Sequence, residues 1–168
     1  SGVMLGRIGG ILTNPDVKII TISCGVNDVW GFDWGRGVQL EDYKRDVRAM
    51  YNKAAVSGVQ VVALTPTLIQ EDPSFEKNRI LDPFADFIRE EAKLRGLPVA
   101  DCRAAEVAAL AKLPKTGENR FTYDGVHPVW EGNKLIAHTV LEALGVPAKH
   151  RAEIEKAWDE IARAAQQK

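Results

Sequence analysis

A chain of 168 residues, 45% hydrophobic and 27% charged, is the size of one domain and holds enough apolar material for one core. Its formal net charge of -1, with basic residues scattered rather than striped, gives no electrostatic case for nucleic acid or an anionic membrane, and no apolar run reaches membrane-spanning length. Two cysteines, Cys24 and Cys102, are too few for a disulfide framework or a zinc site; both read as small buried thiols in apolar strand-like runs.

Strand-like and helix-like segments alternate along the chain. VKIITIS (Val17 to Ser23) follows the turn signal TNPD and is a short, nearly continuous β-branched run, the pattern of a strand buried on both faces. CGVNDVWGFDWGRG then reads as a loop rich in Gly, Asp and Trp. From about Leu40 to Ser57 the period is helical. Tyr43, Val47, Met50, Tyr51 and Ala54 share one face, and Gly58 is the stop. VQVVALTP (Val59 to Pro66) is the second buried strand. After the polar loop TLIQEDPSFEKN, a second helix places Ile80, Leu81, Phe84, Phe87, Ile88, Ala92 and Leu94 at apolar positions and closes at Gly96. LPVADC is the third strand, RAAEVAALAKL a helix and PKTGENRFTYDGVHP a loop. VWEGNKLIAHTVLEALG is a helix with Leu135, Ile136, Thr139, Val140 and Leu144 inward. Pro147 separates it from a last helix, AKHRAEIEKAWDEIARAAQQK, with a narrow stripe of Ile154, Trp158 and Ile161.

Such alternation predicts an α/β fold with a parallel sheet, right-handed crossovers and helices on both faces. Ligands then bind at the carboxyl ends of the strands. That rule selects the loops after Ser23, after Leu64 and around residues 121–129. Only three strands are legible, a small sheet with two unpaired edges. There is no internal repeat or linker long enough to split the chain.

Two short motifs sit in the selected loops. In GVND (Gly25 to Asp28), Gly25 permits a tight turn at a strand end, and Asn27 can aim its amide at a developing oxyanion. The same residues are also ordinary turn chemistry. In YDGVHP, His127 can shuttle protons, and Asp124, three residues earlier, can fix its tautomer and stabilise the imidazolium. The same pair can instead form the polar lip of a helix. His138 and His150 fall within helical runs and receive no role.

Together, in this order and in these places, the motifs resemble the SGNH (GDSL-type) hydrolases, a family of serine esterases on a flavodoxin-like α/β fold. GVND matches its Gly-x-Asn-Asp block and DGVHP its Asp-x-x-His block near the C-terminus. The opening SGVMLGRIGGILTNPDVKIITIS matches its oxyanion-glycine turn, the helix that follows and the next strand. The resemblance covers Ser1 to about Val146. Residues 1–146 are thus expected to be the esterase-like domain and 147–168 a helical extension packed on it. It implies that Gly2 N–H and the Asn27 side chain form an oxyanion hole, that Asp124 and His127 complete a triad, and that no metal or organic cofactor is needed.

The family's Gly-Asp-Ser block, which carries the nucleophile, has no counterpart in these residues and would lie upstream of residue 1. The expectation is therefore a three-layer flavodoxin-like sheet whose first two strands are absent from this chain. The nucleophile would come from an upstream segment or a second polypeptide, and the chain alone would be inert. Ser1, with its α-amine as base, is the weaker alternative; Ser23, Ser57 and Ser74 have poorer contexts. Any leader would be out of view, so exported and cytoplasmic locations both stay open. Trp30, Phe32 and Trp34 after Asn27, and Trp130 after His127, suit sugar rings, or are ordinary packing. The expected substrate is a carbohydrate (acetyl) ester. A short-chain lipid or acyl ester and a non-catalytic carbohydrate-binding relative are the alternatives.

Overall fold

A computed structural model of the chain describes residues 1–114 and 117–166. Lys115 and Thr116 of the loop before residue 121, and Gln167 and Lys168 of the expected last helix, lie outside the described residues. The elements run α1 (Gly2–Leu12), β1 (Ile19–Ser23), α2 (Val26–Trp30), α3 (Leu40–Val56), β2 (Gln60–Leu64), α4 (Glu76–Arg95), β3 (Val99–Ala100), α5 (Cys102–Leu110), α6 (Trp130–Ala143) and α7 (Ala148–Gln166). Among the described residues no helix is long and apolar enough to cross a membrane.

Three parallel strands in the order β1-β2-β3 form the middle layer of a three-layer α/β structure. Alternate side chains of β2 serve opposite cores. Val61 and Ala63 join Ile8 of α1, Tyr43, Val47, Met50 and Tyr51 of α3, and Leu81, Phe84 and Ile88 of α4. Val62 and Leu64 meet Ile136 and Val140 of α6. The expected α3 stripe is buried in full, and each such large apolar side chain contributes about 1.5–3 kcal/mol by leaving water. α7 packs on the outer side of α6, where Lys134 bridges to Asp159 at 3.0 Å.

Several local expectations are corrected. The first strand is not buried on both faces: Ile20 and Ile22 point into the α1/α3/α4 core, whereas Ile19, Thr21 and Ser23 are exposed. α6 covers β2 and β3, and the second face of β1, with Ile19, Thr21 and Ser23, is exposed. The stretch after Cys24 is helical rather than loop. α2 forms there because the Asp28 carboxylate accepts the Gly25 N–H at 3.0 Å and closes the turn, and a 3₁₀ turn follows over Gly31–Trp34. In α4, which begins at Glu76, Ile80 is 48% and Leu94 82% exposed. Each lies a residue or two off the Leu81–Phe84–Ile88–Ala92 stripe, and about 100° of rotation per residue turns them to water. Leu144, expected inward, and Ile161, the end of the expected α7 stripe, are exposed near the ends of α6 and α7. Neither cysteine lies in a strand. Cys24 follows β1 and Cys102 opens α5; burial pushes their thiols up, to about 11 and about 12.

Candidate active site

The segment 121–129 is a tight hairpin. Thr122 and Pro128 bridge across it, Tyr123 N–H donates to the His127 carbonyl at 3.1 Å, and Val129 N–H donates to the Phe121 carbonyl at 2.8 Å. Inside the turn, Asp124 Oδ1 accepts the backbone N–H groups of Val126 at 3.0 Å and His127 at 2.8 Å. That leaves Oδ2 for the imidazole, and it lies 2.7 Å from His127 Nδ1. The His127 backbone N–H foremost, then the imidazole and the Val126 N–H, hold the carboxyl down at about 2 against a usual 3.8. His127 Nε2 has no protein partner among the described residues. Gly125, at φ +88°, allows the chain to double back there.

The second motif lies at the carboxyl end of β1. Asn27 is exposed on α2, and its amide bonds to no other described residue. Asp28 is the tie that sequence reasoning missed. One oxygen accepts Gly25 N–H, and the other accepts the Ser1 backbone nitrogen at 2.5 Å. Ser1 Oγ also donates to Asp46 Oδ2 of α3 at 3.0 Å. The opening turn is thus lashed to the Gly25–Asp28 turn. Gly2, as the first residue of the 11-residue α1, keeps an N–H with no intrahelical acceptor. Gly25 and Asp28 at cap and third helical position already formed the sequence signature of this tie.

The two motifs meet through aromatic rings. Trp30, one turn along α2 from Asn27, sits edge-on to the His127 ring at 5.9 Å, and Tyr123 stacks on it at 5.5 Å and 17°. Trp34 reaches the site only through Trp30, 5.5 Å away, and is 60% exposed. Lys77 lies 5.9 Å over the Trp34 ring and pairs with Asp33. Trp130 opens α6, is 44% exposed and makes no ring contact with His127 among the described residues. Tyr123, which sequence reasoning passed over, is the ring stacked on His127. Among the described residues no serine bonds to His127: Ser1 Oγ is turned to Asp46 and Ser74 Oγ to Asp72. Among the described residues no three His, Cys, Asp or Glu side chains gather as a metal site.

The arrangement is thus a carboxylate-oriented imidazole joined, through Trp30, to the turn at the carboxyl end of β1. Residues 1–135 match the model of the GDSL-like lipase/acylhydrolase family, and the chain belongs to that family. No curated protein matches it. Among solved structures it is similar to LAE5, described as an α/β hydrolase enzyme from the metagenome of Lake Arreo, Spain. The two are 23% identical with a TM-score of 0.74 over 85% of this chain and 66% of that one. A single-substitution variant of Axe2, an acetyl xylan esterase from Geobacillus stearothermophilus, is 21% identical with a TM-score of 0.76, over 86% of this chain and 67% of that one. A GDSL-like lipase from Parabacteroides merdae is 24% identical with a TM-score of 0.65, over 77% and 61%. The chain spans about two thirds of the length of these proteins.

Proposed function

We propose that this chain carries the acid–base and oxyanion-binding parts of a serine esterase that removes acetyl groups from carbohydrate. The nucleophilic serine would come from a segment outside these 168 residues, on the same or a second polypeptide. The observation that carries the reading is the 2.7 Å contact of Asp124 Oδ2 with His127 Nδ1, with Nε2 left free on a ring that Trp30 and Tyr123 flank. In the proposed reaction, Nε2 takes the serine proton as the hydroxyl attacks the ester carbonyl. Gly2 N–H and the Asn27 amide receive the oxyanion, and the imidazolium returns the proton to the leaving alcohol. Water, activated by His127, then hydrolyses the acyl-enzyme. The Gly2 donor adds the positive end of α1 to its hydrogen bond.

Exposed Trp34 and Tyr123 beside Trp30 support a sugar rather than a long acyl chain, since rings with polar neighbours suit a pyranose face. The likeness to an acetyl xylan esterase points the same way. The test is hydrolysis of acetylated oligosaccharides and of nitrophenyl esters of graded acyl length by the protein together with its nucleophile segment, followed by labelling with a fluorophosphonate. Acetyl esters are expected to be cleaved fastest, and the isolated 168-residue chain to be inert and unlabelled. Absence of both turnover and label in the complete protein would sink the esterase reading. Faster cleavage of long acyl chains would sink the carbohydrate part of it.

A further inference from the structure

The loop that follows β2 carries two consecutive residues, Gln70 at φ 63° and Glu71 at φ 50°, in the left-handed region that non-glycine residues rarely adopt. Such conformations persist only where the surroundings over-determine them. Here they aim one carboxylate at the active-site hairpin. Glu71 Oε2 accepts Arg120 N–H at 2.7 Å. Its Oε1 accepts Phe121 N–H at 2.9 Å, Thr122 N–H at 2.6 Å and the Thr122 hydroxyl at 2.5 Å. All four partners donate, so an all-acceptor group is required.

The Thr122 hydroxyl passes the constraint on. With its proton on Glu71, its lone pairs face the Gly125 N–H, which it accepts at 3.1 Å, next to Asp124. Gln70 clamps the other side. Its N–H donates to the Gly125 carbonyl at 2.7 Å, and its side-chain amide fills the space where a Cβ on residue 125 would fall, 2.6 Å away. The peptide groups on both sides of Gly125, the residue after Asp124, are therefore held from the loop after β2, some fifty residues away in sequence. Behind that loop, Glu106 of α5 accepts Leu68 N–H at 2.8 Å and fixes its start.

We propose that Glu71 is a positioning residue for His127: it sets the hairpin so that Asp124 Oδ2 meets Nδ1 and the imidazole keeps a bare Nε2. The proposal rests on the esterase reading for its meaning, but its test does not. The imidazole tautomer of His127 is read by long-range ¹H–¹⁵N correlation on the 168-residue chain at alkaline pH, where the ring is neutral, with Asp124→Asn as the reference for a lost partner. The wild-type chain is expected in the Nδ1–H form. Glu71→Gln keeps the size but turns an NH₂ toward backbone donors, and is expected to give a mixture like that of Asp124→Asn. A wild-type tautomer in folded Glu71→Gln overturns the proposal. Should that variant fail to fold, Thr122→Val breaks the relay at a near-isosteric position, and an unchanged tautomer there overturns it equally. In the complete protein, Glu71→Gln is expected to lower kcat about 10²-fold with KM held within about twofold; a loss confined to KM would refute positioning. No hydrolysis by the complete wild-type protein would instead remove the esterase reading and leave the tautomer result standing.

Discussion

Among the described residues two histidines stand beside carboxylates, and only one of the two pairs is aligned as a hydrogen bond. His127 and Asp124 are three residues apart in one turn, and backbone donors fix the carboxylate before the ring docks at 2.7 Å. His138 and Glu155 belong to different helices, α6 and α7, with Nε2 and Oε2 3.4 Å apart and without hydrogen-bond alignment. The His138 ring packs edge-on against Trp158 at 5.5 Å, and its buried Nε2 forms no hydrogen bond. The difference shows that His next to an acid is not in itself a base. What matters is a carboxylate whose second oxygen is already committed and a ring nitrogen left open to a cleft.

In the complete protein, Asp124→Asn or His127→Gln should reduce kcat/KM for an acetyl ester by about 10³–10⁴-fold, while His138→Gln should leave it within about twofold. The pH profile gives the sign. A carboxyl held at about 2 stays ionised throughout the range in which imidazoles titrate. Loss of activity on acidification should therefore show no step from Asp124 in the ordinary carboxylate range. An acid step near that range would show that Asp124 is not held as described.

A buried carboxyl behind the hairpin supplies the next effect. Glu106 is 2% exposed, and burial foremost, with the nearby charge of Glu71 adding to it, pushes its pKa up from 4.5 to about 7. The unfolded chain ionises first, so the group costs nothing below about pH 4.5. Its cost grows as pH rises toward about 7 and stays constant above, reaching of order 3 kcal/mol. Gln at this position still accepts from Leu68 N–H, so Glu106→Gln should gain about that much on wild type between pH 4 and pH 8 in denaturant unfolding. A pH-independent difference would mean that Glu106 ionises freely in the folded chain.

Gly132 joins the two regions compared, because it sits in the first turn of α6, the helix that carries His138, against the base of the hairpin. A Cβ there would fall 2.1 Å from the Phe121 carbonyl oxygen, the acceptor for Val129 N–H. Gly132→Ala should cost about 2 kcal/mol and disturb the His127 resonances more than those of His138. Equal disturbance of both would mean that the hairpin and the helix move as one body.

How much of this was legible in sequence follows the range of the interactions. Short-range features were: the GVND turn, the Asp124–His127 spacing and the fully buried stripe of α3 all depend on neighbours within a few residues. β1 was misread because its runs of Ile look alike whether one face is covered or two, and coverage depends on where α6 lies. Glu71 left no signal, since its meaning lies in donors some fifty residues onward. Tyr123 and Trp130 are similar aromatic neighbours of His127 in sequence. The hairpin stacks the first on the ring and sends the second into a helix.

Glu155→Gln removes the carboxylate charge near His138 while keeping the packing of α7 on α6. The Lys134–Asp159 bridge at 3.0 Å, the Arg151 hydrogen bond to the Val146 carbonyl at 2.8 Å and the Trp158 contact all remain. Glu155 is half exposed and poorly aligned with the ring, so solvent screening should hold the loss below about 0.5 kcal/mol. Thermal unfolding of the pair of proteins measures it. A loss of several kcal/mol, or any change in ester hydrolysis, would mean that the α6–α7 pair is coupled to the site and that the distinction between the two histidines is one of degree.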